Sequence, residues 1–134
     1  MIRLFAAAAL LLIPAAAHAE PQGGTKFTPA YQKCLAAPSG QSTAGMIGCI
    51  GVELKVQDAR LNRVYQAAQK RMTLPRQKTA LTKAQRAWIA FRDADCASRY
   101  DEAWGTLSRI EANSCVLDRT AQRADELEAF QGEQ

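Results

Sequence analysis

Four cysteine residues are the side chains in this sequence with the most distinctive chemistry: Cys34, Cys49, Cys96 and Cys115. Their spacings are wide and include no C-x-x-C pair, which argues against a redox motif or a metal knuckle. In a small exported chain, an even number of cysteines is typical of a disulfide framework, and four cysteines allow three pairings. We therefore expect two disulfide bonds, and oxidised cysteines cannot act as nucleophiles.

The first 19 residues have the pattern of a secretory signal peptide. Arg3 gives a positive start, residues 4–16 form an apolar run, and Ala17-His18-Ala19 is a small-x-small cleavage site. The run is too short for a stable membrane span and contains Pro14. The sequence thus predicts cleavage near Ala19, no stable membrane anchor, and a product in the periplasm or outside the cell.

Cleavage would remove His18, the only histidine of the chain. The mature product would then have no imidazole for general base catalysis or for zinc. Paired carboxylates such as Asp93 and Asp95 could support glycosidase chemistry, but solvated helix faces explain these clusters more simply. We expect a protein that is not an enzyme and that uses no metal and no cofactor.

The charge of the mature chain is mildly basic. Loss of Arg3 with the leader leaves 16 basic against 13 acidic residues, a formal net charge of +3. There is no run of lysine or arginine and no nucleic-acid-binding motif, so no nucleic-acid partner is expected.

Hydrophobic periodicity predicts helices throughout residues 27–131, which we take as a single domain after a flexible N-terminus at residues 20–26. A short helical segment surrounds Tyr31 to Leu35. Long helices are predicted from Ser42 or Thr43 to about Met72, from Pro75 to about Tyr100, and from Thr106 to Phe130. Short connections require antiparallel neighbours. The predicted fold class is all-α: a small antiparallel bundle of three long helices plus a short N-terminal helical segment.

The same periodicity predicts which residues face the core and which cysteines meet. The predicted core includes Leu61, Trp88, Phe91, Leu117 and Leu127, with Ala84 and Leu107 on the inner faces of their helices. Measured along the helices from the second turn, Cys96 and Cys115 lie at similar heights, so we expect them to pair. Cys34 would then pair with Cys49, although a bond between Cys49 and Cys96 stays open.

Several polar residues fall near the predicted core. The antiparallel register places Glu53 within about one turn of Arg92, with Asp93 and Arg123 close by, and Asn62 available for internal hydrogen bonds. We interpret these residues as a partly buried network that satisfies its own charges. The alternative is a cleft that recognises a carboxylate or a sugar.

Four blocks of sequence resemble a known family. They are Tyr31-x2-Cys34-Leu35, the stretch CIGVELKVQDARLNRVY that begins at Cys49, the stretch LTKAQRAWIAFRDADC that ends at Cys96, and CVLDRTAQRADEL, which begins at Cys115. Together they resemble the lysozyme inhibitor LprI N-terminal domain family of small exported bacterial proteins, over roughly Phe27 to Phe130. The resemblance implies a disulfide-linked helical domain and, for one branch of the family, a lysozyme-type muramidase as protein partner.

Asp101, Glu102 and Trp104 are the candidate partner contacts, because they lie together at the second turn. A chain that is itself basic gains no overall attraction to a basic lysozyme, so inhibition would depend on a local acidic patch here. The second hypothesis is a structural or adaptor module that binds another envelope component without inhibiting an enzyme. The sequence does not indicate an oligomeric state.

Overall fold

The computed structural model describes residues 27–130, which form four α-helices and no strand. These are α1 (Pro29–Ala36), α2 (Thr43–Arg71), α3 (Pro75–Ala97) and α4 (Thr106–Ala129), with short 3-10 helices at Pro38–Gly40 and Glu102–Trp104. The all-α prediction is confirmed, although α3 ends three residues before Tyr100. The predicted signal peptide, the predicted flexible segment 20–26 and residue 131 lie outside the described residues. No helix within residues 27–130 is long and apolar enough to cross a membrane.

Helices α2 and α4 form the most extensive helix pair of the fold and run parallel to each other. Arg60 in the middle of α2 pairs with Asp125 and Glu128 of α4. Arg71, the last residue of α2, donates to the backbone carbonyl of Phe130 at the end of α4, at 3.0 Å. Near these polar contacts lies one cluster of the core, which consists of Leu61, Ala68, Met72, Leu81, Ala124 and Leu127.

Helix α3 runs antiparallel to α4 and touches α2 mainly near the turn that joins them. At that turn the Tyr65 and Thr82 hydroxyls are 3.1 Å apart, and Gln69 donates to the carbonyl of Lys78 at 3.1 Å. Further along, the side chains of α3 turn to α4 instead, through Arg123 on Gln85 and through the Cys96 disulfide. Helices α2 and α3 therefore diverge towards the far end of the bundle.

Both expected disulfide bonds are present, between Cys34 and Cys49 and between Cys96 and Cys115. The open alternative, a bond from Cys49 to Cys96, is excluded. The first bridge fastens α1 to the beginning of α2, and the second joins α3 to α4. Each helix of the described chain is thus linked covalently to a neighbour close to a turn.

The core predictions hold for the leucines and fail for one aromatic residue. Leu61, Leu117 and Leu127 are buried, and Trp88 is half-buried against the core cluster. The Phe91 side chain, in contrast, is 53% exposed. It lies on the flank of α3, where its ring packs under the guanidinium of Arg119 at 5.4 Å. Ala84 and Leu107, which the periodicity places on inner faces, are also exposed, because no other helix covers those faces.

We expect the Cys96–Cys115 bond to contribute about 3 kcal/mol to the free energy of unfolding, because it closes a loop of 19 residues. The double variant Cys96→Ser, Cys115→Ser should lose that amount in urea denaturation. The Cys34→Ser, Cys49→Ser variant is the matched control, since its loop of 15 residues predicts a similar loss. A loss below about 1 kcal/mol in either variant would contradict the loop-entropy account.

Candidate functional site

The connection between α3 and α4 carries the most exposed apolar side chains at one end of the molecule. We call residues 100–107 the tip. The side chains of Trp104 and Leu107 are 64% and 70% exposed, and Asp101 and Glu102 are exposed beside them. Periodicity predicts that Leu107 faces the core, because the first turn of α4 continues the spacing of its inner face. The Leu107 side chain is exposed instead, so this prediction is wrong.

Hydrogen bonds hold the tip in one conformation. The Asp101 carboxylate accepts from the backbone N–H of Ala103 at 2.7 Å. The buried Ser108 hydroxyl lies 3.0 Å from the Asp101 carbonyl oxygen and 2.8 Å from that of Gly105. Gly105 has a φ of 76°, a left-handed conformation that strongly favours glycine. The exposed Trp104 therefore sits on an ordered turn.

The three predicted contact residues have different roles in this turn. Asp101 orders the backbone, since its carboxylate caps the 3-10 helix. The carboxylate of Glu102 forms no hydrogen bond or ion pair within residues 27–130, and Trp104 presents most of its side chain to solvent. Sequence reasoning missed Ser108, although a serine three residues after a glycine at a helix start is a typical local signal for such a bond.

Glu53, the centre of the predicted polar network, is 2% exposed and is satisfied by neutral donors. Its carboxylate accepts from the Thr28 backbone N–H at 2.9 Å, the Thr28 hydroxyl at 2.5 Å and the Gln57 amide at 2.7 Å. The Thr28 hydroxyl oxygen also caps α1 by accepting from the N–H of Tyr31. Glu53 therefore fixes the beginning of α1 against α2.

The predicted pairing of Glu53 with Arg92 is wrong, because α3 has diverged from α2 at this height. Arg92 pairs with Asp93 at 2.7 Å and donates to the Thr120 hydroxyl of α4 at 3.2 Å. Arg123 donates to Gln85 and pairs with Glu126.

Asn62 is exposed on α2 and is not part of this cluster. The network is thus two separate groups of contacts, and its two arginines both lie near the Trp88 ring, at 5.2 and 5.9 Å.

Three side chains near α1 have pKa values shifted from their ordinary values. Burial alone would raise the pKa of Glu53, but the hydrogen bonds from Thr28 and Gln57 lower that pKa overall. Burial raises the pKa of Asp118, against the opposing effect of Arg99. Burial also raises the pKa of Tyr31, with smaller contributions from Asp118 and Glu53.

Asp95 lies beside the Cys96–Cys115 bridge in the only group of three potential metal ligands within residues 27–130. The two sulfur atoms are bonded to each other and offer no thiolate. The Asp95 carboxylate is engaged by Arg119 at 3.0 Å and by Arg99 at 3.4 Å. This group therefore serves to join α3 and α4.

The fold and the tip define a class: a small helical domain with two disulfides and an ordered, exposed apolar turn. A family model described as lysozyme inhibitor LprI matches residues 34–127. The chain belongs to this family, as the resemblance of its sequence blocks implied. No curated protein and no solved structure matches the chain.

We expect Glu53→Ala to lower the free energy of unfolding by about 3 kcal/mol, since it removes the acceptor of several buried hydrogen bonds. Glu53→Gln keeps one acceptor oxygen and should cost only about 1 kcal/mol. Asp58→Ala, an exposed acid on the same helix, is the control and should change stability by less than about 0.5 kcal/mol. Urea denaturation measures all three, and equal losses for Glu53→Ala and Asp58→Ala would refute the assignment.

The lowered pKa of Glu53 also predicts how stability depends on pH. A group with a depressed folded pKa stabilises the protein above its unfolded value, 4.5 for glutamate, and loses that contribution as pH falls through the folded pKa. The stability advantage of the wild type over Glu53→Gln should therefore be full at neutral pH and shrink as the pH falls below 4.5. A difference that stays constant over this range would show that the carboxylate is not the origin of the effect.

Proposed function

We propose that this protein is an exported inhibitor of lysozyme-type muramidases and that it binds the enzyme through the tip. Membership of a family described as lysozyme inhibitors, over most of the described residues, carries the proposal. The two disulfide bonds support export, since such bonds persist in oxidising compartments. An inhibitor of this kind acts by occupying a surface of the enzyme and requires no catalytic group of its own.

The properties of Trp104 favour the tip as the contact surface. Tryptophan is among the residues that most often dominate binding energy at protein interfaces. Trp104 is 64% exposed but belongs to a turn that hydrogen bonds already order. A preorganised turn loses little conformational entropy when it binds, so more of the contact energy appears as affinity. Leu107, one turn into α4, extends the apolar area of the same end.

The charge of the tip suits a basic partner better than the charge of the whole chain does. The full sequence has a formal net charge of +4, which would repel a basic lysozyme at long range. Within the tip, Glu102 presents a carboxylate that is free of ion pairs inside residues 27–130. Attraction would then act at short range, once the tip has approached the enzyme, and would be weakened by salt.

We expect Trp104→Ala to weaken inhibition of a lysozyme by at least about tenfold, because the truncation of an interface tryptophan commonly costs 2 kcal/mol or more. The inhibition constant would be measured by the clearing of cell walls at increasing concentrations of the mature domain. Val52→Ala is the matched control: Val52 has the same exposure, 64%, but belongs to α2 and not to the tip. Its inhibition constant should stay within about twofold of the wild type.

Two results would contradict the proposed inhibition through the tip. One is an unchanged clearing rate with wild-type protein in large molar excess, which would favour the adaptor hypothesis. The other is equal inhibition by wild type and Trp104→Ala, which would place the inhibitory surface elsewhere.

A further inference from the structure

Three open depressions lie side by side along the first half of α4, where α2 and α3 diverge, and together form a groove. Their volumes are about 390, 350 and 240 Å³. The first two share Tyr100 and Arg109, and the last two share Ala112 and Asn113. From Gly105 to Val116 the groove is about 17 Å long by the helical rise. Its lining includes Ile47 of α2, Asp93 and Ala97 of α3, Tyr100 of the tip, and Arg109 and Asn113 of α4. We call it the α4 groove.

The α4 groove combines an apolar floor with polar groups along its length. Ala97, Ala112 and Val116 line the inner part without a charge, and the small alanines leave room for a ligand. Carboxylates stand near either end, at Glu102 and Asp93. This arrangement of mostly apolar walls with a few polar groups is typical of sites for small organic ligands.

Arg109 is the strongest indication of the kind of ligand. The other two arginines of α4 each pair with a carboxylate, Arg119 with Asp95 and Arg123 with Glu126. Within residues 27–130 the guanidinium of Arg109 forms no ion pair or hydrogen bond, and it packs on the Tyr100 ring at 5.9 Å. Its donors are thus available in the middle of the groove, where a guanidinium binds a carboxylate through paired hydrogen bonds.

We propose that the α4 groove binds an oligosaccharide of N-acetylated amino sugars that carries carboxylates, which is the chemistry of a peptidoglycan strand. Arg109 pairs with a carboxylate of the glycan. Tyr100 contacts the apolar face of a sugar ring, and the apolar floor receives acetamido methyl groups. The Asn113 amide donates to the Arg109 carbonyl, so its oxygen accepts from the sugars, as does the Asp93 carboxylate oxygen that does not pair with Arg92.

The groove suits a glycan better than a peptide for two reasons. An extended peptide gains its affinity by adding to the edge of a sheet, and the described chain has no strand. An amphipathic helix requires a continuous apolar groove, whereas Arg109, Asn113 and Asp93 interrupt the apolar lining at intervals. A glycan requires neither feature, because its hydroxyl and amide groups bond to side chains along its length.

This inference goes beyond inhibition and does not rest on it. A protein that held the glycan would be retained on the polymer that a muramidase attacks, with the tip beside the groove. Glycan binding and inhibition are nevertheless separate properties, since Trp104 and Leu107 are not among the residues that line the groove.

Calorimetric titration of the mature domain tests the inference with two probes. The first is a tetrasaccharide of alternating N-acetylglucosamine and N-acetylmuramic acid with free carboxylates, and the second is the neutral tetramer of N-acetylglucosamine. We expect Arg109→Gln to weaken binding of the acidic probe at least tenfold and to change binding of the neutral probe less than threefold. Ala112→Leu, which fills the floor, should weaken both. Arg86→Gln removes an exposed charge from α3 outside the groove and should leave both unchanged.

The inference is overturned if neither probe binds at millimolar concentration, or if Arg109→Gln binds the acidic probe as tightly as the wild type does. An equal loss with Arg86→Gln would also overturn it, since that result would indicate general charge attraction. Trp104→Ala separates the two proposals: it should keep glycan binding whether or not inhibition exists. If Trp104→Ala loses inhibition but still binds the glycan, the result supports the tip as the inhibitory surface and leaves the proposed glycan site unaffected.

Discussion

The attachment of α3 to α4 is the constraint on which the arrangement of the tip and the α4 groove depends. The Cys96–Cys115 bond joins the last turn of α3 to the middle of α4, and Arg119 adds an ion pair to Asp95 beside it. Because α3 is held against α4, it leaves α2 after the first part of its length. This divergence opens the α4 groove. The same disulfide bond joins the two helices on either side of the tip and so restricts the conformations of the connection between them.

A second constraint is the burial of Glu53 without a cation. Neutral donors from Thr28 and Gln57 satisfy its carboxylate, so α1 is fixed to α2 by hydrogen bonds as well as by the Cys34–Cys49 bond. No arginine of α3 or α4 is therefore needed to neutralise the buried Glu53 carboxylate. Arg92 of α3 and the three arginines of α4 lie over aromatic rings, at Trp88, Phe91 and Tyr100, where a stacked guanidinium remains able to bond other groups.

The tip and the α4 groove are adjacent but have different physical characters. The tip exposes apolar and acidic side chains, with Trp104 exposed on a turn ordered by Asp101 and Ser108. The groove is concave and presents the one arginine of α4 that lacks a carboxylate partner within residues 27–130. Tyr100 belongs to both. The proposed contact with a muramidase and the proposed binding of a glycan thus rest on different side chains, Trp104 for the first and Arg109 for the second.

The sequence by itself determined the helices, the disulfide framework and the family. Period and capping residues are local properties, so α2 begins after Ser42 and α3 begins at Pro75 as the pattern predicts. Helical rise favours the pairing of Cys96 with Cys115, and the structure excludes the alternative bond from Cys49 to Cys96. Only the tertiary structure decided the partners of Glu53 and Arg92, the exposure of Phe91 and Leu107, and the existence of the groove. Periodicity shows which face of a helix is apolar, but the angle between neighbouring helices decides whether anything covers that face, and this angle depends on contacts between residues far apart in sequence.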